Sequence, residues 1–304
     1  MKNKTMLSTK EVAEYLNINE KQVYKLIKAK SIPATRVTGK WTFPRTLIDE
    51  WIIESAKRHT GREHSSEALH NHIVIMGSND FSIELLSHML SSMAPEFSLS
   101  LSNVGSIEGL IALGRKSCHA ATCHLLDPET GVYNLPYLSR YLPDLETTVI
   151  NLVYRDVGLI LHPDNPHHIT GLEDLARPEI TIINRQEGSG TRIFLDSELK
   201  KLQVDPAGIT GYEREVNTHT ETALAVLGGS ADVGLGILPA AKLYSLGFVH
   251  LTRERYDIVI PSELVSLSSV QALLGVVRSQ EFKTRIQQMG GYDTRHTGTE
   301  IPQA

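Results

Sequence analysis

The spacing of apolar residues changes near residue 72 and divides the chain into two parts. In residues 8–52 the apolar positions recur at helical spacing, with Val12 and Leu16 on one face of a first helix. From Ile73 onward, short apolar runs of strand length alternate with amphipathic helices. The pattern therefore predicts a small, mostly helical N-terminal domain followed by a larger α/β domain.

The N-terminal part carries signals for two short helices, a hairpin and a third helix. Ser8 followed by Glu11 is a capping-box signal at the start of the first helix. The second helix is expected over residues 20–30, after a turn. Thr38-Gly39 between two β-prone runs predicts a hairpin, and Pro44 is expected in the first turn of the third helix.

Two helices joined by a tight turn form a helix-turn-helix, whose second helix enters the major groove of DNA. Outward glutamine, lysine and tyrosine side chains suit base edges and phosphates, and the hairpin would form a wing. The predicted DNA-binding residues are Lys21, Gln22, Tyr24, Lys25 and Lys28 on the second helix, Arg36 and Lys40 on the wing, and Arg45 after it. A protein-interaction role for this module is the alternative.

Charge is distributed unevenly along the chain. Residues 1–58 carry 12 basic and 6 acidic side chains, a net of +6, and residues 59–304 carry 18 and 29, a net of −11. A basic N-terminal part and an acidic remainder are expected if only the N-terminal part contacts a polyanion, although a chance bias of surface charge gives the same numbers. We predict a winged helix-turn-helix domain over residues 1–58, a polar linker over 59–71 and a ligand-binding domain over 72–304.

Three predicted helices of the α/β domain start directly after strands, at Gly77-Ser78-Asn79, at Gly105-Ser106 and within residues 184–192. Ligands of open parallel sheets bind at such junctions, where free amide groups and the helix dipole favour an anion. The predicted ligand-binding residues are Ser78, Asn79, Ser106, Arg185, Ser189, Gly190, Thr191, Thr218 and His219. Ordinary helix caps that bind nothing are the alternative at each junction. Residues His124 to Asp127 suit either cleft lining or a structural role.

Both parts resemble known families. Residues 7–52 resemble the excisionase-type, MerR-like winged helix-turn-helix through the Val-Tyr-Lys-Leu-Ile segment, the Ile-Pro-Ala step and Trp-Thr-Phe. The segments MGSND, NRQEGSGTR, HTETALAVLGGSADVGLGI and GGYDTRHTG resemble type II periplasmic binding proteins, especially the branch related to molybdate- and tungstate-binding proteins. The resemblance implies a two-lobed ligand-binding domain in a one-component transcription regulator.

The same resemblance implies a ligand and its contacts. Arg185, Ser189 and Thr191 would contact an oxyanion from the second lobe, and Ser78 and Ser106 would do so from the first. Molybdate or tungstate is the implied effector. Because Asp80 and Glu187 lie beside the site in sequence, a small organic anion or a molybdenum-cofactor-related metabolite stays an alternative.

Other functional classes fit the sequence less well. The sequence has no signal peptide or membrane-length apolar run, so a cytoplasmic protein without membrane contact is expected. Cys118 and Cys123 adjoin histidines, but strand alternation would separate them, so neither metal nor resident cofactor is predicted. Ser189 lacks a nucleophile-elbow context, so we predict no enzyme, with catalysis the alternative. A homodimer that reads two DNA half-sites is expected.

Overall fold

The computed structural model describes residues 5–16, 18–29, 31–37, 39–59 and 71–303. The chain divides into two compact units, Met1–Leu69 and His70–Ala304. Most of the linker predicted at 59–71 lies outside the described residues, as do Asn17 and Thr38 of the predicted turns. The domain boundaries therefore stay predictions.

The N-terminal unit contains three helices and a three-stranded antiparallel sheet within its described residues. The helices are α1 (Thr9–Tyr15), α2 (Glu20–Lys28) and α3 (Arg45–His59), and the strands are β1 (Met6–Ser8), β2 (Thr35–Val37) and β3 (Lys40–Pro44), with β3 in the centre. The predicted capping box is present at Ser8 and Glu11. Asn19 and Gln22 form a second one at the start of α2. These local bonds fix where both helices begin.

The core of this unit joins the helix-turn-helix to the hairpin and to α3. Val12 and Val23 of the first two helices, Phe43 of β3 and Ile48 of α3 are all fully buried in one cluster. Burying each such side chain stabilises the fold by about 1.5–3 kcal/mol. Two details differ from the sequence prediction: β1 was not expected, and Pro44 ends β3 instead of lying in the first turn of α3.

The C-terminal unit is built on one sheet, which has nine strands in the described part of the chain. The strand order is β5-β4-β6-β11-β7-β10-β8-β9, and β12 pairs with β7. The strands are β4 (His72–Gly77), β5 (Ser98–Asn103), β6 (Ala120–Cys123), β7 (Thr147–Leu161), β8 (Ile182–Arg185), β9 (Glu215–Val216), β10 (Val233–Ile237), β11 (Gly247–Pro261) and β12 (Tyr292–Asp293). The helices are α4 (Phe81–Met93), α5 (Ser106–Gly114), α6 (Leu135–Tyr141), α7 (Gly190–Lys201), α8 (His219–Leu227), α9 (Leu238–Leu243), α10 (Ser268–Arg278) and α11 (Gln280–Met289).

Strands β7 and β11 connect the two lobes of this unit. Each has 15 residues, and they pair antiparallel along their length. On β7, Ile150 and Val153 pack in the core of the first lobe, whereas Val157 and Ile160 pack in the core of the second. The two lobes therefore share a continuous pair of strands, and the fold has the predicted two-lobed architecture.

The strand directions correct part of the sequence prediction. Strands β4, β5 and β6 run parallel to one another, and so do β8 and β10, as predicted for the two α/β units. In contrast, β7 and β11 are antiparallel to their neighbours β10 and β6, so the sheet is mixed. Tyr256 and Asp257 lie inside β11. In the described residues, no helix is long and apolar enough to cross a bilayer.

Candidate functional site

Four helix starts meet where the two lobes of the C-terminal unit contact each other. At the start of α5, the amide of Ile107 donates a hydrogen bond to the carbonyl of Gly188, just before α7 (3.3 Å). At the start of α8, the amide of His219 donates to Oδ1 of Asn79, just before α4 (3.2 Å). Each bond joins one lobe to the other. The amide-rich ends of α4 and α5 therefore face those of α7 and α8.

Glycine residues permit this close approach. A Cβ atom on Gly190 would lie 2.6 Å from the imidazole ring of His124. Within the first lobe, a Cβ atom on Gly77 would lie 2.3 Å from the carbonyl oxygen of Thr122 on the neighbouring strand, and Gly77 has a φ of 146° that L side chains rarely adopt. Only glycine fits these two positions without a backbone shift.

Four predicted hydroxyl side chains are buried at these helix starts, with 2% or less of their surface exposed: Ser78, Ser106, Ser189 and Thr191. Oγ of Ser189 caps α7 by accepting a bond from the amide of Arg192. In contrast, Oγ of Ser78 and Oγ1 of Thr191 have no hydrogen-bond partner among the described residues. A buried polar group without a partner costs about 1–3 kcal/mol, so both hydroxyls are suited to bind a ligand.

Arg185 supplies a buried positive charge. Its Nη1 lies 3.0 Å from Nδ1 of His219, its Nη2 donates to the carbonyl of Asn217 (2.8 Å), and its Nε donates to Oε1 of Gln186 (3.3 Å). Burial, and after it repulsion by Arg155, lowers the pKa of Arg185 to about 9, so the group stays charged at neutral pH. Among the described residues Arg185 makes no ion pair. Its charge is therefore available to an anion.

The guanidinium of Arg155 is, by contrast, paired with two carboxylates. It lies between Oδ2 of Asp80 and Oε1 of Glu254, each at 2.6 Å. Burial disfavours the charge, but Glu254 and Asp80 outweigh that effect and raise the pKa of Arg155. Asp80 also accepts a bond from the hydroxyl of Tyr292. Asp80, which seemed unfavourable beside an anion, is thus paired with a cation, and Glu187 is exposed.

His124 lies at the same site. Its ring is 1% exposed, its Nδ1 is 3.0 Å from Oε2 of Glu254, and its backbone amide donates to Oγ of Ser106 (3.4 Å). Its Nε2 has no partner among the described residues. The sequence left this histidine open between cleft lining and structural use. Its contact with the Gly190 segment places it at the lobe boundary.

The remaining predicted site residues use their polar atoms within the protein. Oδ1 of Asn79 accepts the bond from His219, and its Nδ2 donates to Glu84 (3.1 Å). Thr218 is half-buried and caps α8 through a capping box with Glu221. Both residues therefore position helix starts, which is a different use from the ligand contact expected of them. Their direct contact with a ligand stays a prediction.

Sequence reasoning missed the pair Arg155 and Glu254. A signal was present for Arg155, which follows an apolar, β-prone run, but not for Glu254, which lies between two arginines. The two residues are direct neighbours across β7 and β11. Cys118 and Cys123 are buried and unpaired, and the described residues contain no group of three metal-ligating side chains.

The predicted DNA-binding residues lie on the surface of the N-terminal unit, with one partial exception. The five on α2 (Lys21, Gln22, Tyr24, Lys25 and Lys28) and the two on the hairpin (Arg36 and Lys40) are exposed. The opposite face of α2 buries Val23. Arg45 is half-buried, because its guanidinium stacks over the ring of Tyr15 (5.3 Å) and lies 4.0 Å from Asp49.

The C-terminal unit matches a known superfamily by sequence. The sequence profile of the PBP superfamily domain matches residues 87–278, which is more than half of the chain. The chain belongs to the PBP superfamily. A helix-turn-helix domain profile matches residues 6–55, so the PBP-superfamily domain follows a helix-turn-helix domain. The family pair predicted from the sequence is thereby confirmed.

This PBP-superfamily protein has a full-length relative. It is 33% identical over 308 residues to the uncharacterized protein YvgK of Bacillus subtilis, and the alignment covers 99% of both chains. A shorter relative from Clostridium pasteurianum, an uncharacterized protein in the ferredoxin 2Fe-2S gene 5′ region, is 34% identical over 107 residues. That alignment covers 35% of this chain and 95% of the relative.

Solved structures share the two-lobed fold. A phosphate ABC transporter substrate-binding protein from Clostridium perfringens, solved with phosphate, has a TM-score of 0.54 at 15% identity and covers 72% of this chain and 98% of its own. A tungstate ABC transporter structure from Geobacter sulfurreducens has a TM-score of 0.53 at 14% identity, with 71% and 98% coverage. These likenesses confirm the predicted fold of the PBP-superfamily domain.

Proposed function

We propose that the chain is a DNA-binding transcription regulator whose PBP-superfamily domain senses a small oxyanion, with molybdate or tungstate as the expected effector. The pairing of a helix-turn-helix with a ligand-binding domain supports the general class. The single observation that supports an anionic ligand is the buried charge of Arg185, which makes no ion pair among the described residues. An uncompensated buried charge is costly, and a bound anion would offset that cost.

The groups around Arg185 suit a tetrahedral oxyanion. Such an anion presents several acceptor oxygens, and the unpartnered hydroxyls of Ser78 and Thr191 lie at helix starts of opposite lobes. The resemblance to molybdate- and tungstate-binding proteins supports those two anions. Phosphate, which one structural relative binds, is the main competitor, and a small organic anion is the other.

The ligand would act by favouring contact between the lobes. It can shift the protein toward this closed arrangement only by binding it more tightly than an open one. Bending of β7 and β11, which serve both lobes, would accompany closure. In a homodimer, closure would change the spacing of two DNA-binding heads relative to half-sites about 34–36 Å apart. No catalytic step or resident cofactor enters this proposal, and a DNA-binding protein would act in the cytoplasm.

The test has two stages. Isothermal titration of the full chain with molybdate, tungstate, sulfate, phosphate and small carboxylates identifies which anion binds. Fluorescence anisotropy with a DNA duplex selected from a random pool then compares DNA affinity with and without that anion. We expect a change of at least about fivefold, the lower end of allosteric coupling. Unchanged DNA affinity with every anion that binds would refute the regulatory role.

A further inference from the structure

The hydrogen bond between His124 and Glu254 fixes which ring nitrogen of His124 carries the proton. Burial alone would raise the pKa of Glu254, but the charge of Arg155 and the hydrogen bonds from His124 and Arg155 lower that pKa, so Glu254 is ionised. An ionised carboxylate only accepts hydrogen bonds, and Nδ1 of His124 lies 3.0 Å from Oε2. The proton of neutral His124 therefore sits on Nδ1, and Nε2 presents a bare lone pair.

That lone pair is buried, and it belongs to a ring that lies at the boundary between the lobes. Nε2 has no partner among the described residues, and the ring is 99% buried. The ring touches the Gly190 segment of the second lobe, and the backbone of His124 is bonded to Ser106 of the first. An oxyanion, however, presents only lone pairs of its own. Two lone pairs that face each other repel unless a proton lies between them.

We propose that the anion complex holds one proton between Nε2 of His124 and a ligand oxygen, so that anion and proton bind together. This inference rests on the proposed function. One N–H bond forms at Nε2, and no bond of the ligand breaks when the ligand is molybdate or tungstate, since the proton comes from solvent. A ligand that carries its own proton would reach the same complex by donating it to Nε2.

Charged and titratable groups from four elements interact with His124. They are Glu254 and Tyr256 of β11, Arg155 of β7, Arg185 of β8 and His219 of α8. Burial first, and the two arginines in addition, lower the pKa of His124 in the ligand-free protein, whereas Glu254 opposes them. An anion with two charges beside Nε2 would reverse this balance and favour the imidazolium form. His219 stays neutral, because burial and Arg185 lower its pKa well below its ordinary value.

The consequence is a defined pH dependence of affinity. Because the proton and the anion bind together, each strengthens the binding of the other. The dissociation constant for molybdate or tungstate should rise about tenfold per pH unit between about pH 7 and 8.5.

Isothermal titration of the full chain with molybdate and with tungstate, in two buffers of different ionisation enthalpy, counts the protons taken up. We expect about one proton per anion at pH 7.5 and a tenfold weaker affinity at pH 8.5. His124→Gln should bind with no proton uptake and a flat pH profile. His88→Gln, which replaces an exposed histidine on α4, should behave like the wild type.

The outcomes separate this inference from the proposed function. Tight binding by the wild type with no proton uptake overturns the role of His124 alone, and so does proton uptake that persists in His124→Gln. No binding of either anion overturns the proposed effector and this inference together. Since the wild-type measurement needs no variant, misfolding of His124→Gln would not leave the question open.

Discussion

Replacing Arg185 with methionine should remove ligand binding while leaving the ligand-free fold largely intact. At an anion concentration one hundred times Kd, binding stabilises the wild type by about 2.7 kcal/mol. For a domain of this size that free energy raises Tm by about 5–10 °C. Removing one partner of a buried charge pair costs about 2–5 kcal/mol, or roughly 30-fold to 4,000-fold in Kd. At the same anion concentration, ligand binding should therefore stabilise the variant by less than about 1 kcal/mol and raise its Tm by less than about 3 °C.

The ligand-free variant should lose little stability, because two effects oppose each other. Methionine removes the hydrogen bonds of Arg185 to Asn217 and Gln186, each worth about 1 kcal/mol. It also removes a buried cation that the fold disfavours, as the lowered pKa of Arg185 shows. Differential scanning fluorimetry with and without molybdate or tungstate measures both quantities. Arg214→Met, at an exposed arginine of the same unit, is the control. A full ligand-induced Tm rise in Arg185→Met would show that the site is placed wrongly.

Three further changes test other parts of the account. Gly190→Ala puts a methyl group 2.6 Å from the ring of His124, so titration calorimetry should show anion binding lost or weakened at least tenfold; normal affinity would mean that the lobes need not approach there. Glu254 has a pKa of about 2 in the fold against an ordinary 4.5, so its ionisation contributes about 3 kcal/mol to the free energy of unfolding above pH 4.5, and this contribution is lost as pH falls toward 2. Urea unfolding measured between pH 4.5 and 2 should show a weaker pH dependence in Glu254→Gln than in the wild type. The same pH dependence in both proteins would contradict the assignment. Lys25→Ala should weaken binding to all DNA sequences alike and lower the salt-dependence slope by about 1, whereas Lys200→Ala in the other unit should not, and equal effects of both would argue against α2 as the DNA contact.

Elements governed by neighbouring residues were predictable from the sequence. Helix α4 follows the Gly77-Ser78-Asn79 junction, as predicted. The first helix of the helix-turn-helix followed from the capping box at Ser8, and the wing followed from the hairpin signal at Gly39, which has the left-handed φ of 80° that such a hairpin turn needs. The helix starts at Ser106 and Ser189 were predicted as well, and Ser189 is the cap of its helix, as small polar residues after an apolar run often are.

Features that depend on distant parts of the chain were not predictable in this way. The pairing of β7 with β11 joins residues about a hundred positions apart, and no local pattern encodes it. Without that pairing, Asp80 looked unfavourable beside an anion, because its partner Arg155 could not be identified. The two possible roles of His124 were equally open for the same reason. Its contacts with Glu254 and Gly190 exist only in the folded domain.

The most direct test of the anion site is a crystal of the full chain grown with tungstate, measured at an X-ray wavelength where tungsten scatters anomalously. We predict one strong anomalous peak enclosed by Arg185, Ser78 and Thr191, with His124 at its edge. A peak elsewhere with none beside Arg185 would contradict the account. So would the absence of any peak between the lobes when the protein binds tungstate in solution.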